Sequence, residues 1–151
     1  MTSPHFRNIL VPLDESPIAR LVFATATSLA RDLKAQVHLL RVLTIDPQFP
    51  AAAHTKPDGL EQKLVNDARI ELDKWVTGVT TIAFGSLVVV IGDPWRQILE
   101  VAVTLDVDLI VIGSHKYHGT DRILGTVASK VVNHANRNVL VVHDRKGIDV
   151  L

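Results

Sequence analysis

Short, unbroken apolar runs alternate along this chain with longer stretches whose apolar positions recur at helical spacing. The runs are Asn8 to Leu13, Gln36 to Val42, Leu87 to Gly92, Leu109 to Ile112 and Asn138 to His143. Continuous apolar runs of this length predict strands buried on both faces. Between them, Leu21, Thr25, Leu29 and Leu33, with Val22 and Ala26 beside them, form one stripe at spacing four, which predicts an amphipathic helix of about five turns. Pro17 suits its first turn, with Ser16 as the cap. A second helix is set out by Leu60, Leu64, Ala68, Leu72, Trp75 and Val76. A third is capped and started by Asp93-Pro94 and carries Ile98, Leu99, Ala102 and Leu105. The last runs from Val127 to Ala135, with apolar residues at 127, 128, 131, 132 and 135. Arg41 is out of place in an apolar strand and is expected near its end, where the guanidinium reaches water. Thr44 to Gly59, with Pro47, Pro50 and Pro57, reads as a long loop of the kind that often serves as a lid or binding loop.

Strands alternating with helices call for an α/β fold, a parallel sheet covered on both faces. Right-handed crossovers leave few topologies. The expected one is a doubly wound five-stranded parallel sheet of order 3-2-1-4-5, winding outward from strands one and four, in a single domain over residues 1–151.

Composition removes several function classes. Sixteen basic and sixteen acidic residues cancel, and no Lys/Arg run is present, which argues against a nucleic-acid partner. The charges are uneven: residues 1–112 hold ten Lys/Arg against thirteen Asp/Glu, whereas 113–151 hold six against three, with four of the seven histidines. The absence of cysteine excludes disulfides, zinc–thiolate sites and thiol nucleophiles. The first residues run into a strand without a basic-then-apolar leader, and no apolar run approaches the ~20 residues of a membrane span. A cytoplasmic protein without a membrane partner is therefore expected.

The candidate chemistry lies after the fourth strand, where Gly113, Gly119 and Gly125 interrupt the loop that leads into the last helix. Glycine reaches φ > 0 at little cost and lets backbone N–H groups approach an anion. The loop ends at Gly125-Thr126, at a helix N-terminus whose free N–H groups and dipole favour negative charge. The Thr126 hydroxyl either caps that helix or turns to a phosphate oxygen. In a doubly wound sheet, ligands sit beyond the strand ends where the winding reverses. That places Asp14 and Gly113 on two sides of one crevice. Asp14 is either a ligand to a base or ribose or a helix-capping carboxylate.

At this stretch, and over nearly its whole length, the chain resembles the universal stress proteins, specifically their nucleotide-binding branch. That branch carries Gly-x2-Gly-x9-Gly-[Ser/Thr] after its fourth strand. Here the string is Gly113, Ser114-His115, Lys116, eight residues, then Gly125-Thr126. Ile123-Leu-Gly-Thr-Val-Ala-Ser-Lys-Val-Val132 and the last strand Asn138-Val-Leu-Val-Val142 follow the family pattern. The resemblance implies a Rossmann-like fold, of the adenine nucleotide alpha hydrolase type. It also implies a stress-response module that binds ATP or another adenine nucleotide, with Mg²⁺ as a possible companion ion. The Pro12-Leu13-Asp14 turn and the Val42 backbone would hold adenine, Ile112 and Gly113 would lie along the ribose and first phosphates, and Gly125, Thr126 and Val127 would take the phosphate chain. It further implies a homodimer made by antiparallel pairing of Val139, Leu140, Val141 and Val142 on an apolar sheet edge, the kind of edge that invites another strand.

Lys116 replaces the second glycine of the motif. In a φ > 0 conformation lysine costs on the order of 1 kcal/mol relative to glycine, and its side chain would crowd the phosphate. Pointing outward, or folded back as a point charge on phosphate, it is compatible with binding, and Gly119 then supplies the flexibility lost at 116. His115, His118, His134 and His143 lack a carboxylate at ligand-like spacing, so no metal site is expected. Ser114, Thr126 and Ser129 have no triad or nucleophile elbow around them. A nucleotide-binding module is therefore expected rather than an enzyme, with a slow ATPase and a non-binding dimeric interaction protein as alternatives.

Overall fold

The computed structural model describes residues 5–44, 59–114 and 124–144. The elements are β1 (Asn8–Pro12), α1 (Ala19–Leu33), β2 (Gln36–Leu43), α2 (Leu60–Val76), β3 (Ala83–Ile91), α3 (Pro94–Thr104), β4 (Leu109–Gly113), α4 (Thr126–His134) and β5 (Asn138–Val142). All strand pairs are parallel, in the order β3-β2-β1-β4-β5. The expected topology is thus observed. Both windings start from the β1–β4 pair, whose register sets Ile9 beside Leu109 and Leu10 beside Ile110.

Alternation along the central strands splits the core into two layers. Ile9, Val11, Leu13, Val37 and Leu39 pack under α1 and α2 against Val22, Ala26 and Leu72. Leu10, Leu40, Ile110 and Ile112 pack under α3 and α4 against Ile98, Ala102, Ala128 and Val131. Strands covered on both faces bury every side chain, which is why β1 and β4 read as unbroken apolar runs.

Four local expectations are corrected. The stripe of α1 is one row away from the one expected: Ala19, Val22, Ala26 and Ala30 are buried, whereas Leu21 and Leu33 are 40% and 41% exposed. Small residues face the sheet, and the leucines stand on the flanks. Ser16 does not cap α1, which begins at Ala19 with Ile18 as its cap residue and without a side-chain cap bond; the Ser16 backbone carbonyl instead accepts the Ala19 N–H at 3.1 Å. Likewise Asp93 occupies the cap position of α3 without a capping bond, and its carboxylate meets Arg96 Nε at 3.6 Å. Finally, β3 starts four residues before the apolar run at Leu87, because Ala83 and Phe84 pair with Gln36 and Val37 of β2 before the register shifts across Gly85 and Ser86.

That extension serves a polar contact. His38, the one polar residue in the buried set of the described residues, accepts the Ser86 backbone N–H on Nδ1 at 2.9 Å. Its Nε2 therefore carries the proton and donates to Asn8 Oδ1 at 3.1 Å, which also receives Gln36 Nε2 at 2.6 Å. A Cβ on Gly85 would lie 2.3 Å from His38 Cε1, so the ring occupies the place of a side chain there. Burial lowers the His38 pKa from its ordinary value of 6.5 by desolvation of the charged form.

Candidate functional site

The crevice is assembled at the carboxyl ends of β1 and β4. From β1 the chain turns at Leu13, whose N–H donates to the Leu40 carbonyl of β2 at 2.8 Å, and then reaches the exposed Asp14. Asp14 Oδ1 accepts the Ser16 N–H at 2.9 Å, a local Asx turn that fixes the carboxylate. Arg41, near the end of β2, reaches across to this turn. Its guanidinium pairs with Glu15 at 3.2 Å and lies 3.5 Å from the Leu13 carbonyl. With a side chain 21% exposed, it emerges at the strand end as its position in the sequence suggested.

On the other side, Ile112 is buried and Gly113 ends β4. Ser114 ties the two neighbouring segments: its N–H donates to the Val142 carbonyl of β5 at 2.8 Å, and its carbonyl accepts the Gly125 N–H at 3.2 Å. The N-terminus of α4 is thereby held against the end of β4. Gly125 is its cap residue, with φ −58° and no side-chain cap bond, so the hydroxyl of the exposed Thr126 does not take the capping role. The first N–H groups of a helix have no intrahelical acceptor, and here they belong to Thr126, Val127 and Ala128. The dipole of α4 adds partial positive charge at the same point.

The glycines act differently from the expectation of positive φ. Among the described residues that geometry occurs at Gly78 and Gly92, and at Lys34 and Asp106, but at neither Gly113 nor Gly125. Gly113 is small for a packing reason: a Cβ there would stand 2.9 Å from Ile18 Cγ2 and 3.2 Å from Val22 Cγ2. A side chain would push the first turn of α1 away from β4.

The structure therefore brings Pro12, Leu13, Asp14, Ile112, Gly113, Gly125, Thr126 and Val127 to one end of the sheet, together with the carboxyl end of β2 that carries Val42. Lys116, Gly119, His115, His118 and the 45–58 loop lie outside the described residues. His134 packs its ring on Trp95 at 4.8 Å and makes a 2.9 Å contact from Nδ1 to the Lys130 carbonyl. No group of three or more metal-ligating side chains converges among the described residues, and no helix among them is long and apolar enough to cross a membrane. The Glu15–Arg41 clamp and the His38–Asn8–Gln36 network were not singled out as sites in the sequence. An arginine inside an apolar strand was the available signal for the first, and a histidine flanked by Val37 and Leu39 for the second.

A parallel sheet of this order, reversing beside an anion-favouring helix end, defines the class of doubly wound α/β proteins with a ligand crevice at the switch point. Within that class the chain is a member of the universal stress protein family, whose model matches residues 5–143. It is 28% identical over 140 residues to Universal stress protein A homolog 1 of Coxiella burnetii, covering 91% of this chain and 96% of that one. Among solved structures it superposes on hypothetical protein MJ0577 with TM-score 0.74 at 25% identity, covering 93% and 97% of the two chains. Universal stress protein UspA from Lactobacillus plantarum gives 0.73 at 27%, covering 93% and 99%. The Archaeoglobus fulgidus universal stress protein in complex with dAMP has the same fold, with TM-score 0.58 at 21% identity, covering 90% and 97%.

Proposed function

We propose that this protein binds an adenine nucleotide, ATP in the first instance, in the crevice between β1 and β4, and that it works as a cytoplasmic, homodimeric stress-response module rather than as an enzyme. Residues 1–151 act as one domain in this reading. The observation that carries it is the 3.2 Å bond from the Gly125 N–H to the Ser114 carbonyl. It supports a site in which the N-terminus of α4 meets the end of β4, opposite the Asp14 turn. The chemistry is complementary. Asp14 offers a fixed carboxylate to the donor groups of adenine, the Pro12–Leu13 turn and the Val42 main chain flank the base, and Ile112 and Gly113 face the ribose. The N–H groups of Thr126 and Val127 face the phosphates, with Lys116 and Gly119 completing the loop. Universal stress proteins of the same fold in complex with cAMP and with dAMP support this reading. Mg²⁺, where present, would neutralise phosphate charge rather than bind a protein carboxylate cluster. Dimerisation would use the edge of β5 at Val139 to Val142.

Isothermal titration with ATP tests this directly. One site per chain is expected, and Asp14→Ala should weaken it by about tenfold, the loss of one charge-assisted hydrogen bond of about 1.5 kcal/mol. An unchanged Kd in that variant would remove Asp14 from the site, and no heat at millimolar ATP would remove the nucleotide.

A further inference from the structure

A cleft lies at the opposite end of the sheet from the crevice, where the strands begin. It has a volume of about 810 Å³ and is bounded by the entry to β1, the end of α1 with the start of β2, and the entry to β3. Sites for small molecules span roughly 300–1,000 Å³, so its size is that of a ligand site. Its charge is one-sided. His5, Arg7, Arg31 and Lys34 line it, and no Asp or Glu does, in a chain whose formal net charge is zero.

Among the described residues, no ion pair engages the cations of this cleft. The three ion pairs of the described residues involve Arg41, Arg96 and Arg137, and Arg31 reaches the Ser28 hydroxyl at 3.5 Å. The nearby carboxylates stand outside the cleft. Asp32 lines a separate groove on the side of α1 toward Leu140, and Asp108 Oδ2 is held by the Arg7 and Asn8 N–H groups at 2.8 Å each. Arg31 and Lys34 do complement the C-terminal dipole of α1, but Arg7 and His5 come from another segment and owe nothing to that helix. Lys34 is also left-handed, at φ 56° and ψ 40°, where glycine or asparagine is the usual, less strained choice. A strained lysine that lines the cleft fits a position kept for its charge.

We infer that this cleft is a second ligand site, for a phosphate-bearing small molecule of two or more negative charges, held by Arg7, Arg31 and Lys34 with His5 at the edge. The guanidinium groups supply forked donors to phosphate oxygens and the lysine a mobile point charge. The site is independent of the nucleotide reading, since it shares no residue with the crevice.

The test is a ¹H–¹⁵N NMR titration of the full chain with inorganic tripolyphosphate, following the amides of Arg7, Asn8, Ala35, Gln36 and Ala83 alongside those of Gly113 and Gly125. Saturable shifts are expected in the first group, with Kd rising at least tenfold in Arg31→Gln/Lys34→Gln and by clearly less in Arg31→Lys/Lys34→Arg, which keeps both charges but exchanges the forked donors. Shifts confined to Gly113 and Gly125, or a Kd at the first group indifferent to charge removal, would overturn it. Because the two groups are read separately, failure here leaves the crevice untouched, and failure of the crevice leaves this site standing.

Discussion

At Gly85 and His38 a single buried ring decides how two strands meet. The imidazole fills the space above Gly85, accepts the Ser86 N–H and donates to Asn8, and its neighbours are the uncharged Asn8, Gln36 and Ser86. A cation there would lose the Ser86 bond and bring charge into a buried place. Below pH 6.5 the unfolded chain takes up a proton that the folded chain, with its lowered pKa, refuses. The unfolded state is then favoured, so this contribution to stability is full above pH 6.5 and declines as pH falls toward the folded pKa. The melting temperature should drop between pH 7.5 and pH 5, and His38→Gln should reduce that drop; an equal drop in the variant would assign the effect to other groups. Only part of this residue-scale chemistry was legible. Arg41 announced itself as a charge in an apolar strand, whereas His38 sits between Val37 and Leu39 with nothing nearby in sequence to reveal that its partners are 30 and 48 residues away.

Helix α1 shows what periodicity settles and what it leaves open. Spacing of three to four located the helix and its length to within a few residues, because the pattern is a property of the backbone repeat. It did not select the buried row, since Leu21, Thr25, Leu29 and Leu33 make as good a stripe as Ala19, Val22, Ala26 and Ala30. The choice was made by the sheet: a helix packed closely on a parallel sheet needs small side chains at the contact. Gly113 enforces the same closeness from the strand side, lying under Ile18 and Val22. Accordingly Val22→Ala should cost about 1–2 kcal/mol in chemical denaturation, and Leu21→Ala well under 1 kcal/mol. The reverse ranking would restore the leucine stripe as the buried one. Similarly, the anion site was read from glycines as loop conformations, whereas Gly113 and Gly125 contribute by packing and by the position of α4. The loop between them, with Lys116, governs whether the resemblance extends to every residue of the motif.

For the whole molecule, the strand order followed from few constraints: continuous apolar strands, intervening helices and right-handed crossovers leave little else. Knowing the order then placed Asp14 and Gly113 at one end of the sheet although they lie far apart in sequence. Among the described residues the same order leaves β5 paired on one side only, to β4, with Leu140 37% exposed. If β5 joins two copies, Leu140→Lys should shift the protein from dimer to monomer in light scattering at micromolar concentration, with little change in the stability of each chain; a dimer that survives the substitution would place the interface elsewhere. The two ends of the sheet also differ in chemistry. One presents the Asp14 carboxylate and the N-terminus of α4, the other a cleft whose charged lining residues are all cations.

Which end receives ATP is therefore the decisive question, and an amide-by-amide NMR map of the ATP complex answers it. We predict saturable shifts at Leu13, Asp14, Gly113, Ser114 and Gly125 through Val127. Shifts restricted to Arg7, Lys34 and Gln36, or none at saturating ATP, would contradict the proposed crevice.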